Sequence, residues 1–96
     1  MKQLVFNFPE TTFASSNSTM EQLDHVMSEV YEARADFIFG KDREATMECI
    51  DVIHSSETLL RNLIKEHGET KVLKAMELVI KKNDERGYYL PEQATV

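Results

Sequence analysis

The chain predicts an all-α fold, a helical hairpin-based bundle of three main helices completed by homo-oligomerisation. Three observations predict it. Apolar residues recur at three- and four-residue spacing in three long stretches, the pattern of helices with one apolar side. Each stretch is bounded by residues that start or stop helices. None contains an internal proline.

Residues 1–17 read as an N-terminal arm without regular structure. Leu4-Val5-Phe6-Asn7-Phe8 is apolar and partly alternating, and Pro9 with the Thr/Ser/Asn-rich run to Asn17 breaks any element. Phe6, Phe8 and Phe13 make this arm a segment that packs on the body or on a partner subunit. Residues 18–90 form the helical domain. Ser18-Thr19-Met20-Glu21 is a capping box, in which Ser18 caps the helix and Glu21 reaches back. The first helix runs to about Phe39, with Leu23, Val26, Met27, Val30, Phe37 and Ile38 on its apolar side. Gly40 can take the left-handed conformation that ends a helix. Asp42 is an N-cap for the second helix, whose apolar side carries Cys49, Ile50, Ile53, Leu60, Leu63 and Ile64 and which ends at Gly68. Thr70 caps the third, with Val72, Leu73, Met76, Val79 and Ile80 as its stripe, and Gly87 stops it. Residues 91–96 are a C-terminal tail.

Composition narrows the function. A chain of 96 residues is one small domain, and 42% hydrophobic content without tryptophan gives a modest core. Pairing with further copies, as a homodimer or homotetramer, completes such a core. The 17 acids against 11 bases leave a formal charge of −6, which argues against binding nucleic acid. A small nucleotide stays open, because a metal offsets its charge. The lone Cys49 makes no internal disulfide, so a reducing cytoplasm is expected. No apolar run approaches the roughly 20 residues that span a bilayer, and no signal-peptide pattern is present, so no membrane partner is expected.

The residues that carry chemistry are two acidic pairs, Glu29-x-x-Glu32 and Glu48-x-x-Asp51. Folding the chain back at Gly40 brings Glu32 to Glu48 and Glu29 to Asp51. Four carboxylates gathered this way repel one another unless a cation sits between them, and Mg²⁺ is the hard, oxygen-preferring candidate. Spacing alone does not decide the matter. The chain holds four acidic pairs at i,i+3, the others being Glu21/Asp24 and Glu66/Glu69, and its composition alone gives roughly three. The plain alternative is a pair of solvated helix faces. Against it stand the mirror placement about the turn and the scarcity of nearby bases, Arg34 and Arg43 both lying closer to Gly40.

At this point the sequence resembles the MazG-like, all-α nucleoside triphosphate pyrophosphohydrolases. Their motif is ExxE on one helix, a variable gap, then ExxD on the next. Here it reads Glu29-Val30-Tyr31-Glu32, a gap spanning residues 33–47, then Glu48-Cys49-Ile50-Asp51. Lys81-Lys82-Asn83-Asp84-Glu85-Arg86-Gly87-Tyr88 is similar to the basic, Asn-containing segment that members place over the nucleotide. The resemblance covers residues 20–90. Many members carry a further glutamate directly before the first motif glutamate, where this chain has Ser28. The tryptophans that some members stack on the base have no counterpart, which leaves base choice open.

The resemblance implies Mg²⁺-dependent hydrolysis of a (d)NTP to monophosphate and pyrophosphate, with Mn²⁺ as a substitute. Glu29, Glu32, Glu48 and Asp51 would be the metal-holding and catalytic residues. One of these carboxylates, or Glu44, would take the proton from water. Lys82, Asn83 and Arg86 would hold phosphate or sugar, since guanidinium pairs well with phosphate oxygens. The dull alternative is that cations near a helix C-terminus simply favour its dipole.

Other readings are weaker. Asp51-x-x-His54 places two ligands one turn apart, but di-iron bundles use Glu-x-x-His on two helices and this chain has none. His25 is the other histidine such a site could draw on, and His67 is a helix-end residue. Cys49 reads as a small buried side chain, and Met27, Met47 and Met76 as packing residues. The rival from another class is a non-catalytic helical dimerisation or interaction protein with a solvated acidic face.

Overall fold

A computed structural model describes residues 6–91, so Leu4, Val5 and most of the expected tail lie outside the described residues. These residues form four helices, α1 (Phe13–Ser16), α2 (Thr19–Ile38), α3 (Asp42–His67) and α4 (Glu69–Glu85), with no strand among them. The all-α expectation holds, with one addition. The arm contains a single helical turn, α1, closed by Asn17 N–H donating to Phe13 O. Its hydroxyls turn back on the backbone, Ser15 and Ser16 both donating to Thr12 O at 3.0 Å, so this Ser/Thr-rich run stabilises a turn where a break was expected.

The helix boundaries follow their local chemistry. The Ser18 hydroxyl accepts from Glu21 N–H at 3.1 Å, and the Glu21 carboxylate accepts from Ser18 N–H at 2.9 Å. These bonds favour the ionised carboxylate and hold Glu21 below its usual range. At the far end of α2, Gly40 has φ of 72°, which lets Gly40 N–H reach Phe37 O and Lys41 N–H reach Asp36 O at 2.8 Å. That double closure turns the chain in two residues and starts the hairpin. Two starts differ from expectation: Asp42 lies inside the first turn of α3 and is not its N-cap, and the start of α4 is also displaced. Gly68, with φ of 89°, stands at the N-cap of α4, and Thr70 lies inside its first turn. One glycine ends α3, through its N–H to Ile64 O, and begins α4, which leaves no room for a separate cap.

The chain divides into two units, Met1–Leu63 and Ile64–Val96. The first holds the arm, α2 and most of α3. Its interior is polar: Gln22, Ser55, Thr58 and Asn62 are buried, and the buried apolar side chains among the described residues are Ala14, Ala33 and Ala45. Leu23, Met27 and Val30 on α2 and Ile50, Ile53 and Leu60 on α3, expected as core, face outward, and Cys49 and Met47 are exposed with them. The hairpin therefore turns its polar faces inward. Buried polar groups require partners, and most find them here, although Oδ1 of Asn62 is buried without one among the described residues. Gln22 donates through Nε2 to Ser55 O at 3.0 Å and accepts from Asn17 Nδ2 at 3.0 Å, so one side chain joins the arm, α2 and α3.

The arm lies against α3 in the same way. Phe8 N–H donates to Glu57 Oε1 at 2.9 Å, and Arg61 donates to both Phe8 O and Glu57 at 3.0 Å. His54 Nε2 meets Pro9 O at 3.2 Å while its ring stacks on Phe8 with centroids 4.5 Å apart. A carbonyl only accepts, so the imidazole carries its proton on Nε2. Thr11 and Thr58 hydroxyls pair at 3.3 Å. Spacings of three and four put His54, Thr58 and Arg61 on one side of α3, which is why an extended arm can use all of them.

In the second unit α4 buries no residue, and Leu73, Met76, Leu78, Val79 and Ile80 are exposed. Met76 is thus not a packing residue within the described chain.

Removing the buried amide should show where stability resides. Gln22→Ala strands the Asn17 amide and empties buried volume, and should cost about 2 kcal/mol. Urea denaturation at fixed protein concentration measures it. A loss below a few tenths of a kcal/mol would remove Gln22 from this role.

Candidate metal centre

Gln22 and Glu29 are seven residues apart on α2, and Ser55 and Glu48 are seven apart on α3. Seven residues make about two helical turns, which returns a side chain to nearly the same face. The bond from Gln22 to Ser55 in an antiparallel hairpin therefore brings Glu29 level with Glu48. One oxygen each from Glu29, Glu48 and Asp51 lie within 4.8 Å of one another. Glu32 stands close enough for its charge to act on Glu48 as well. Glu29 meets Asp51, as folding back at Gly40 predicts. Glu48 is faced by Glu32, as that folding predicts, and by Glu29 as well, a contact the mirror count does not give. Glu44 is exposed in the first turn of α3 and lies outside the three converging atoms.

Burial grades the cluster. Glu29 and Glu48 are half-buried, whereas Glu32 and Asp51 are exposed. Oε2 of Glu48 is shut off from solvent and finds no hydrogen-bond donor among the described residues. The groups facing it are carboxylates, which when ionised only accept. The Glu48 carboxyl is accordingly pushed up to about 7, first by the facing Glu29 side chain, then by loss of water, then by the charges of Glu32 and Glu29. A group in this position needs either a proton or a cation.

His25, one turn before Glu29, places Nε2 at 3.3 Å from Glu29 Oε1. The carboxylate accepts, so the imidazole donates and fixes which way Glu29 points. Carboxylates that hold metals are commonly oriented by a neighbour of this kind. The ring of His25 in turn meets Phe13 of the arm, with centroids 5.3 Å apart. Sequence reasoning gave neither residue this role, although His25-x-x-x-Glu29 is an i,i+4 pair that signals contact on a helix. His54 serves the arm, and His67 lies beside Glu66 at the end of α3, as a helix-end residue should.

Lys82, Asn83 and Arg86 belong to the second unit. Lys82 and Arg86 are exposed, Asn83 is half-buried, and Asn83 O accepts from Tyr88 N–H as α4 closes. Arg34 and Arg43 are both exposed in the first unit.

Crowding of Glu48 sets a pH dependence. A carboxyl whose folded value is raised contributes stability that is complete below its ordinary value of 4.5 and is lost as pH rises through about 7. Glu48→Gln keeps the shape without the charge. In chelator, its melting temperature should match wild type near pH 4 and rise above it as pH passes 7. A difference that does not change with pH would mean that the carboxylates are not crowded.

No protein-family model, curated protein or solved structure matches the chain, which leaves its own geometry as the guide to function.

Proposed function

We propose that this chain is a Mg²⁺-dependent nucleoside triphosphate pyrophosphohydrolase that converts a (d)NTP to (d)NMP and pyrophosphate. The observation that carries this is the Glu48 carboxyl, which converges with those of Glu29 and Asp51 and whose Oε2 is enclosed and without a donor among the described residues. An all-oxygen donor set suits a hard divalent cation and not a soft one. Glu29, Glu32, Glu48 and Asp51 would hold it. When bound, Mg²⁺ (or Mn²⁺) supplies charge neutralisation for a triphosphate and makes water more acidic. Glu29 is held in place by His25. One of these carboxylates, or Glu44, would take the proton from the attacking water; Glu32, Asp51 and Glu44 are the exposed ones. Lys82, Asn83 and Arg86 are the candidates for phosphate or sugar contacts, as the resemblance to the MazG-like enzymes implies.

Purified protein with a panel of NTPs and dNTPs tests the proposal. Chromatography should show monophosphate and pyrophosphate only with Mg²⁺ or Mn²⁺, and Glu32→Gln or Glu48→Gln should lower the rate at least about 100-fold, the scale of losing one electrostatic group at a reacting centre. Folded protein inert on every nucleotide would refute it.

We further infer that the chain works as a homodimer or homotetramer. Outward-facing Leu23, Val30, Ile53 and Leu60 form apolar surface of the kind that monomers rarely expose, while the interior holds alanines and polar groups. A second copy of the same chain covers such faces symmetrically. Light scattering should give two or four chains, and Leu60→Asp should weaken association by at least about tenfold, as expected for a charge placed at an apolar contact.

The same exposed faces support a second reading, a helical interaction protein without catalysis. Thermal melts separate the two. Millimolar Mg²⁺ that raises the melting temperature favours the enzyme, because a ligand of the folded state stabilises it by mass action. No shift, with nucleotide present or absent, favours the rival.

A further inference from the structure

A cavity of about 280 Å³ lies in the first unit, and two residues of the acidic cluster, Glu29 and Asp51, form one side of it. The arm roofs it with Thr11 and Phe13, and Gln22, Ser55 and Thr58 line it from the two helices. His25 and His54 complete the lining. We propose that this cavity receives the nucleoside half of the substrate, with Phe13 as the ring against which the base stacks. This rests on reading the acidic cluster as the site that holds the metal and the phosphates.

Three features define the occupant. First, the shared residues Glu29 and Asp51 tie the cavity to the cluster, so the occupant is joined to whatever the cluster holds. A nucleoside attached to a triphosphate is joined in this way. Second, the walls pair flat surfaces with hydrogen-bonding groups. Phe13, an exposed ring, offers a flat surface to a base, while Ser55, Thr58 and Thr11 offer hydroxyls to its edge or to the sugar. Third, the volume lies just below the roughly 300–1,000 Å³ of small-molecule pockets, which suits an occupant no larger than one base and its sugar. Gln22 is part of the frame and not of the recognition, because both ends of its amide are already engaged, by Ser55 O and Asn17 Nδ2.

The arm therefore does more than pack. Phe13 stands in α1, held by the contact of Thr11 with Thr58 on one side and by Asn17 with Gln22 on the other. Its ring rests on His25, which orients Glu29. The chain has no tryptophan, and Phe13 is the phenyl ring in this lining.

The absence of native tryptophan also gives the test. Phe13→Trp introduces a single indole at the roof, and its emission should be quenched by Mg²⁺ with a nucleoside triphosphate but not by Mg²⁺ with inorganic tripolyphosphate. In calorimetry, wild type should bind the nucleotide more tightly than tripolyphosphate. Phe13→Ala should weaken the nucleotide about tenfold, within the range of a base stacking on an aromatic ring, and leave tripolyphosphate within twofold. Unchanged tripolyphosphate affinity doubles as the control for folding. If the nucleotide binds with full dependence on Glu48, yet the indole is silent and Phe13→Ala binds normally, the cavity is not the nucleoside site while the metal proposal stands. If neither ligand binds wild type in Mg²⁺, the metal proposal fails and this one with it.

Discussion

The first unit is organised by one hydrogen bond, from Gln22 Nε2 to the backbone oxygen of Ser55. It is buried, and its energy is modest, on the order of 1 kcal/mol. Its importance is positional. A helix carbonyl already accepts from its own ladder, and a glutamine that reaches the remaining lone pair fixes both the spacing and the level of two helices at once. Alanines at 33 and 45 are buried on the same inward faces, where a larger side chain would hold the helices apart. With the level fixed, the carboxylates have no freedom to slide past one another. Their repulsion is built in as soon as the hairpin forms.

That arrangement reverses the usual division of an amphipathic helix. Ordinarily the apolar stripe goes inside and the charges stay in water. Here the fully buried residues are alanines and polar groups, Val26, Val52, Leu59 and Leu63 are half-buried, and Leu23, Val30, Ile53 and Leu60 are exposed. Such an interior is poor at driving collapse, since burying polar atoms returns little beyond the hydrogen bonds they make. It is well suited to holding a charged, water-seeking ligand between helices. The polar interior and the exposed apolar faces are two consequences of the same choice of faces.

Much of this was legible in the sequence. Ser18 with Glu21 and the glycine at 40 placed the ends of α2, because caps and left-handed turns depend on the few residues that form them. The acidic pairs were legible as well, since helical periodicity decides which carboxylates share a face. What escaped was the side that turns inward. A stripe containing Leu23, Val30, Ile53 and Leu60 reads as core when a chain is considered singly, and the four polar residues that overrode it are too ordinary to stand out. The added contact of Glu29 with Glu48 was hidden for a similar reason, since nothing in the spacing marks Gln22 as the side chain that bonds α2 to α3. Short α1 was masked by hydroxyl-rich composition, which favours loops on average but here bonds back onto its own backbone.

The strap over α3 has a practical corollary for anyone handling the molecule. From Phe8 to Thr11 it is pinned through main-chain atoms as much as side chains, by Glu57, Arg61 and His54. Main-chain anchors tolerate changes of residue type but not changes of path. An affinity tag, cleavage scar or fusion joined close upstream could drag this stretch off its track and open the chamber beneath it without unfolding a single long helix. Spectra of such a preparation would look native although the arm had left its place, so purification handles belong at the other terminus.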